Sequence, residues 1–135
     1  MKTSVIRRAT FNAAHRLHNP AWDDATNSKV FGACNNPNYH GHNYTLFVKI
    51  TGEVDPVTGY VMDLKDVNIL INTYVIEPLD HQNLNLDVPD FRNLNPTAEN
   101  IARIIYEKLR SALAADLELK VTLYETENNI VEYPG

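Results

Sequence analysis

The chain has 135 residues, of which 44% are hydrophobic, and 17 acidic side chains against 12 basic ones leave a formal net charge of −5. An acidic chain without a run of lysine or arginine argues against nucleic acid or an anionic membrane as the main partner. One cysteine excludes an internal disulfide, no apolar stretch reaches transmembrane length, and the size suits one domain over residues 1–135.

The first half of the chain predicts two strands separated by a long loop. The first strand ends at His15, and its more apolar face holds Val5, Ala9, Phe11, Ala13 and His15. Residues 16–41 show little periodicity, which is typical of a functional loop. Alternation returns over residues 42–54, and turn residues at 55–59 predict a hairpin with residues 60–62.

The second half predicts two helices followed by two strands. Asp63 is a candidate cap for one helix that Pro78 should end, and Pro96-Thr97 begins a second with a clear apolar stripe. Strands follow at residues 119–123 and 130–133. The order ββααββ predicts an α+β fold with a four-stranded antiparallel sheet, two helices on one face, and an uncovered face that favours pairing with other copies of the chain.

Three histidines form the main chemical pattern. His40 and His42 flank Gly41 at the start of a strand, so their side chains share a face, and His15 ends another strand. Three imidazoles from two strands are suited to zinc and would leave a fourth position for water or substrate. The alternative for a His-x-His pair alone is two partly exposed strand residues.

Cys34 lies in the loop, six residues before His40, and the sequence leaves three roles open for it. It could complete a closed Cys-His₃ structural site, act off the metal as an activated thiolate, or be an inert buried thiol. Structural zinc sites usually draw their ligands in close pairs such as C-x₂₋₄-C, which this chain lacks. The spacing therefore favours the thiolate over the closed site.

Asp80-His81 and Glu125 are further candidates. Asp80 and His81 could serve as an acid/base pair, although neighbours in an extended chain point apart and both could approach a third group instead. Glu125 continues the apolar parity of its strand, where a carboxylate needs a partner such as a flat heterocycle with two adjacent N–H donors. The alternatives are ordinary turn chemistry and a solvated strand end.

Six blocks of sequence, in order along nearly the whole chain, resemble the 6-pyruvoyltetrahydropterin synthases. These blocks are residues 11–17 (FNAAHRL), 34–44 (CNNPNYHGHNY), 55–59 (DPVTG), 79–84 (LDHQNL), 96–100 (PTAEN) and 124–126 (YET). The resemblance implies a single pterin-synthase-like domain with the tunnelling fold, in which three subunits close a barrel and two trimers stack into a homohexamer.

The resemblance also implies roles for individual residues. By matching motifs, the zinc ligands are His15, His40 and His42, the general base is Cys34, and the pterin anchor is Glu125. Asp80 and His81 are implied as partners of Cys34 across a subunit boundary. Thr97 and Glu99 match a block that lies near the pterin, and so are expected to be substrate-binding.

The implied reaction converts 7,8-dihydroneopterin triphosphate into 6-pyruvoyltetrahydropterin, with elimination of triphosphate and no external redox cofactor. An acidic protein needs a local positive patch for that leaving group, and Arg8, Arg16 and Lys29 are candidates by their position near the motifs. Magnesium could accompany the triphosphate. The lone cysteine and the absence of a signal-peptide pattern predict a cytoplasmic location.

Three alternatives remain at this stage. The related 6-carboxytetrahydropterin synthases of queuosine biosynthesis use the same histidines and substrate, but typically have a tighter spacing than the five residues between Cys34 and His40. A non-catalytic zinc-binding module, with Cys34 closing the metal shell, belongs to a different class. A pterin aldolase on the same fold is less favoured, because it would have no use for the three histidines.

Overall fold

The computed structural model describes all residues from Met1 to Gly135. Its two longest strands are antiparallel and form the centre of the sheet. Strand β1 spans Lys2–His15 and β2 spans His40–Glu53, and they pair along their full length. The register places His15 directly opposite His40. The residues that end one strand and begin the next are therefore neighbours.

The other elements follow in chain order around this pair. Helix α1 covers Asp24–Phe31, α2 Leu64–Ile71, α3 Glu77–Leu79, α4 Leu84–Asp87 and α5 Ala98–Ala112. The remaining strands are β3 (Gln82–Asn83), β4 (Glu118–Tyr124) and β5 (Ile130–Tyr133). No helix combines the length and the apolar character that crossing a bilayer requires.

The sheet has five strands in the order β3-β1-β2-β4-β5, one more than the four expected. All neighbours are antiparallel except β3, which pairs in parallel with β1 through Ala13 and Ala14. Two residues are too few to show an alternating pattern, so the sequence does not reveal β3. The α+β fold class itself is confirmed.

One face of the sheet holds the core. Side chains of alternating parity along β2, from Tyr44 to Ile50, are almost completely buried, and α5 packs against β4 and β5 while α2 packs against β1. The opposite face has no helical cover: Ile6 is 55% exposed there, and Phe47 and Tyr124 contact each other at 5.5 Å between ring centroids. The predicted asymmetry between the two faces is present.

Two local predictions were wrong. Residues 16–41 are not all loop, because α1 begins after Asp23, whose carboxylate accepts a hydrogen bond from Thr26 N at 2.7 Å, and ends at Gly32. The helix has almost no apolar stripe, so only its caps indicated it. Residues 60–62 form no strand, and the turn at 55–59 leads directly towards α2.

The segment from α2 to α3 is helical up to Leu79, one residue past the expected end at Pro78. A π-helical turn over Asn72–Ile76 joins the two helices, with the N–H of Glu77 bonded to the carbonyl of Asn72. Pro78 cannot donate a backbone hydrogen bond, yet it is tolerated at the beginning of the short α3. The chain becomes extended at Asp80, which places the next motif at the edge of the sheet beside β1.

Candidate active site

Three histidines converge at the paired ends of β1 and β2. His40 lies opposite His15, His42 lies opposite Ala13, and all three rings occupy the face that carries the core. Ring centroids are 4.6 Å apart for His15 and His40, 5.1 Å for His15 and His42, and 5.0 Å for His40 and His42. One ring nitrogen from each lies within 4.8 Å of the others, so the cluster could hold a metal ion.

The environment of His15 prepares it to be a metal ligand. Its side chain is 1% exposed, and Nδ1 lies 2.7 Å from the carbonyl oxygen of Pro96. Because a carbonyl only accepts, Nδ1 carries the proton and Nε2 presents a lone pair, yet Nε2 is buried without a hydrogen-bond partner. Burial lowers the pKa of His15 below its ordinary value, which keeps the ring neutral as metal ligation requires.

His40 has similar features. Its Nδ1 is also buried without a partner, and burial, followed by the neighbouring His42, lowers the pKa of its imidazole. Buried polar atoms are nearly always satisfied in folded proteins. Two unpartnered imidazole nitrogens in one cluster therefore fit a bound cation better than an ordinary polar contact.

Cys34 lies in a 3₁₀ turn, Gly32–Asn35, that follows α1. Its carbonyl oxygen accepts a hydrogen bond from Leu17 N at 2.8 Å, which ties the turn to the end of β1. The thiol is half-buried, free of any disulfide, and is not one of the clustered ligand groups. It lines a cavity of about 480 Å³, a volume typical of small-molecule sites.

The same cavity contains three other predicted site residues, namely Thr97, Glu99 and Glu125. Thr97 and Glu99 begin α5, where the Thr97 hydroxyl caps the helix by accepting from Asn100 N at 3.2 Å. Thr97 thus has a structural role independent of any ligand. Glu99 lies in the first turn, where its negative charge is favoured by the helix dipole.

Glu125 connects the cavity to the histidines. It follows the last residue of β4, with its side chain 20% exposed and Oε2 at 4.0 Å from His15 Nε2. Thr45 pairs with Tyr124, so the next position along the register sets Glu125 beside Tyr44 on the core face. The parity argument from the sequence is therefore correct: the carboxylate does face inwards.

Asp80 and His81 lie elsewhere in the chain. They do not line the Cys34 cavity, but a separate one of about 470 Å³ beside β1 and β2. His81 has a positive φ of 60°, and its Nδ1 lies 3.0 Å from Asp80 Oδ2, so the expectation that these side chains point apart was wrong. A hydrogen bond from Asn12 N at 2.8 Å is the main reason that the pKa of Asp80 is lowered.

The sequence profile of the family described as 6-pyruvoyl tetrahydropterin synthase matches residues 4–135, nearly the whole chain. The chain belongs to this family. It is 46% identical over 134 residues to the human 6-pyruvoyl tetrahydrobiopterin synthase, with 99% of this chain and 92% of that protein covered. It is also 36% identical to a dihydroneopterin monophosphate aldolase of Pyrococcus furiosus, over 93% of this chain and 91% of that one.

A solved structure carries the same fold. The 6-pyruvoyl tetrahydropterin synthase of Caenorhabditis elegans superposes with a TM-score of 0.94 at 42% identity, covering 100% of this chain and 96% of that chain. The recognition of the 6-pyruvoyl tetrahydropterin synthase family from six sequence blocks is therefore confirmed.

Two features of the site in this family member escaped the sequence interpretation. Tyr44 lies under the histidines, and its hydroxyl is buried without a partner; burial, and then the charge of Glu125, raises its pKa. Its parity with His40 and His42 was a signal that was available. The Pro96 carbonyl had no such signal, because a backbone acceptor 81 positions from His15 is visible only in three dimensions.

Proposed function

We propose that the chain is a zinc-dependent 6-pyruvoyltetrahydropterin synthase, a lyase that converts 7,8-dihydroneopterin triphosphate into 6-pyruvoyltetrahydropterin with loss of triphosphate, in tetrahydrobiopterin biosynthesis. The observation that carries this proposal is the 4.0 Å approach of Glu125 to His15, which joins a cavity containing a free thiol to a three-histidine cluster. Family membership supports the choice of a pterin substrate.

In this proposal His15, His40 and His42 hold the zinc ion. The set of three neutral imidazoles suits zinc, and the two unpartnered buried nitrogens fit a cation at this position. When bound, zinc supplies a Lewis acid that stabilises negative charge developing on oxygen atoms of the substrate side chain. Pro96 holds the His15 ring in its ligating tautomer through the hydrogen bond to Nδ1.

Glu125 binds and orients the pterin. Its two carboxylate oxygens accept from two adjacent N–H groups of the ring, a charge-assisted bidentate contact in a partly buried site. Thr97 and Glu99 line the same cavity and contact the ring from the start of α5. Holding the ring in this way directs the substrate's three-carbon side chain towards Cys34 and the histidines.

Cys34 Sγ takes the proton from the substrate side chain. It acts as a thiolate, and its half-buried position in the cavity wall gives the sulfur access to the substrate. Asp80 and His81 accept that proton in turn, with Asp80 stabilising the charged imidazole through the 3.0 Å contact. Because this pair lies outside the Cys34 cavity of its own chain, we propose that it serves the Cys34 of a neighbouring subunit.

A shared site requires an assembly, and we propose trimers that close a barrel and stack in pairs into a homohexamer. The uncovered sheet face, with Ile6 and Ile130 about half exposed, and the free edge of β5 support such an association. A reducing compartment keeps a free thiol in its reduced form, so we place the enzyme in the cytoplasm. Magnesium would enter only with the triphosphate.

The deciding experiment combines metal analysis with product identification. The purified protein is incubated with 7,8-dihydroneopterin triphosphate before and after chelation, and products are identified by mass spectrometry. We expect 6-pyruvoyltetrahydropterin and triphosphate from the zinc-loaded protein alone, with activity restored by added zinc. Release of acetaldehyde would instead assign a 6-carboxytetrahydropterin synthase, and a zinc-loaded protein without turnover would assign a structural zinc module.

A further inference from the structure

The three cations that the sequence suggested for the triphosphate occupy very different environments. Arg16 is half-buried, and its Nε donates to the carbonyl of Asn35 at 2.9 Å, so this guanidinium supports the loop that follows β1. Lys29 is exposed in the last turn of α1, where its charge complements the free helix carbonyls. Arg8 alone of the three lines the cavity that contains Asp80 and His81.

The wall of this cavity is rich in hydrogen-bond donors. Along the uncovered sheet face, Thr10 of β1 pairs with Thr45 of β2, and Asn12 pairs with Asn43. The Asn12 amide donates to Asn43 Oδ1 at 2.6 Å, which leaves the Asn43 amide N–H groups directed elsewhere. Two hydroxyls, an amide and a guanidinium along one face provide a surface suited to an anion.

Asp80 brings a carboxylate into the same cavity. Its Oδ1 accepts from Asn12 N at 2.8 Å and its Oδ2 lies 3.0 Å from His81 Nδ1, so the imidazole offsets this negative charge when it carries the proton. Arg8 takes part in none of the ion pairs of the structure. Its charge is therefore available to an incoming ligand.

We propose that this cavity of about 470 Å³ binds the triphosphate of the substrate, and that Arg8 is its main cationic contact. This inference rests on the proposed function and extends it to the leaving group. In the elimination, the side chain loses a proton from one carbon, the electron pair of that C–H bond forms a C=C bond to the next carbon, and the C–O bond to the triphosphate breaks there. The electron pair of that bond leaves with the triphosphate oxygen.

Because the two carbons are adjacent, Arg8 must act near Asp80 and His81, the pair that we call the proton relay. The group that takes the proton and the group that stabilises the leaving phosphate must contact neighbouring parts of one substrate. His81 and Arg8 line the same cavity, so the subunit that provides the relay also provides the cation. Arg8 thus meets the phosphate in whichever copy of the site Asp80 and His81 complete, and it stabilises charge that grows as the bond breaks.

The chain offers a matched control for this proposal. Arg7 precedes Arg8 on β1 and is also exposed, but its register partner is Val48, so it faces the opposite side of the sheet. Arg7→Gln and Arg8→Gln change the net charge equally. A difference in triphosphate affinity between the two variants therefore reports on contacts within the cavity rather than on the overall charge of the protein.

The test is binding of inorganic triphosphate to the zinc-loaded protein by isothermal titration calorimetry. We expect Arg8→Gln to weaken binding about tenfold or more, and Arg7→Gln to change it less than about twofold. Arg8→Lys should fall between wild type and Arg8→Gln, because lysine keeps the charge but loses the bidentate geometry. Equal losses in both glutamine variants, no loss in Arg8→Gln, or no binding by wild type would each overturn the proposal.

Mass and circular dichroism check that the variants keep the wild-type assembly. If Arg8→Gln does not keep that assembly, the triphosphate affinities of Arg8→Lys and Arg7→Lys are compared instead. Turnover is measured separately on 7,8-dihydroneopterin triphosphate, where Arg8→Gln should raise KM. Triphosphate binding through Arg8 without turnover would remove the proposed function and leave an anion site, whereas turnover with binding that does not depend on Arg8 would remove this inference alone.

Discussion

The Nδ1–H of His15 donates to the carbonyl of Pro96 at 2.7 Å, across 81 positions of sequence. This one contact sets the tautomer of the ring, directs an unpartnered Nε2 towards His40 and His42, and connects the end of β1 to the beginning of α5. The histidine cluster and the cavity wall formed by α5 are therefore built together. Several expectations depend on this arrangement.

The first concerns the metal. Wild-type protein should carry about one zinc ion per chain, and His40→Ala should lower zinc affinity by more than about a hundredfold, since even losing a hydrogen-bond partner of a metal ligand costs about 10–100-fold. His18→Ala is the matched control, because His18 contacts Asn35 outside the cluster and its loss should leave the zinc content unchanged. Plasma mass spectrometry after dialysis against a weak chelator measures the zinc content of wild type and of both variants. Equal zinc in all three proteins would contradict the assignment of His40 as a zinc ligand.

The second concerns pH and the metal-free protein. Burial lowers the pKa of His15 below 6.5, so between that value and the native pKa the unfolded chain binds more protons than the native one. The free energy of unfolding of the metal-free protein is then highest above about pH 6.5. It falls as the pH drops, by up to about 1.4 kcal/mol per pH unit for this group. Urea unfolding of chelated protein between about pH 7.5 and 5.5 measures the slope.

The control for that slope is an exposed histidine. The His81 side chain is 79% exposed and contacts Asp80, which favours its charged form, so His81→Ala should not reduce the acid sensitivity, while His15→Gln should. An unchanged slope in His15→Gln would show that another group is responsible.

The third concerns the thiol. Cys34→Ala should lower kcat by about a hundredfold or more, the usual scale of general base catalysis, because the variant removes the proposed proton acceptor. Zinc content should stay at the wild-type level, because the sulfur is not part of the ligand cluster. Steady-state kinetics and metal analysis on the same preparation are sufficient, and full activity in this variant would remove the base assignment.

The fourth concerns the pterin anchor. Glu125→Gln should raise KM about tenfold or more, since one charge-assisted bond of a bidentate pair is lost. Glu127→Gln removes the same charge two residues away, at an exposed position, and should leave KM unchanged. Because Glu125 also lies 4.0 Å from His15, zinc must be measured in both variants. Matching KM values for the two variants would argue against the anchor.

The fifth concerns the proposed sharing of the site between subunits. Cys34→Ala and His81→Ala homo-oligomers should both be nearly inactive, but unfolding and refolding them together should restore part of the wild-type activity. The physical reason is that a mixed assembly contains sites with an intact thiol from one chain and an intact relay from its neighbour. Two different Cys34 variants refolded together should stay inactive, and activity that never returns in the first mixture would place the relay within a single chain.

Periodicity accounts for most of what could be predicted. The parity of His40 and His42 with Tyr44 and Leu46 put the imidazoles on the core face, and the parity of Leu123 put Glu125 there too. Such alternation survives because one buried face of a strand must stay apolar over its whole length. Where no such constraint acts, as in α1 and in the two-residue β3, the sequence pattern did not predict the element.

By itself the sequence determined the fold class, the family, and the set of side chains with the right chemistry, because these depend on local periodicity and on residue identity. Only the tertiary structure decided which of those side chains meet. It joined Cys34, Thr97 and Glu125 in one cavity and placed Asp80 with Arg8 in another. Those groupings depend on strand register and on long-range contacts such as the one between His15 and Pro96, which no local pattern encodes.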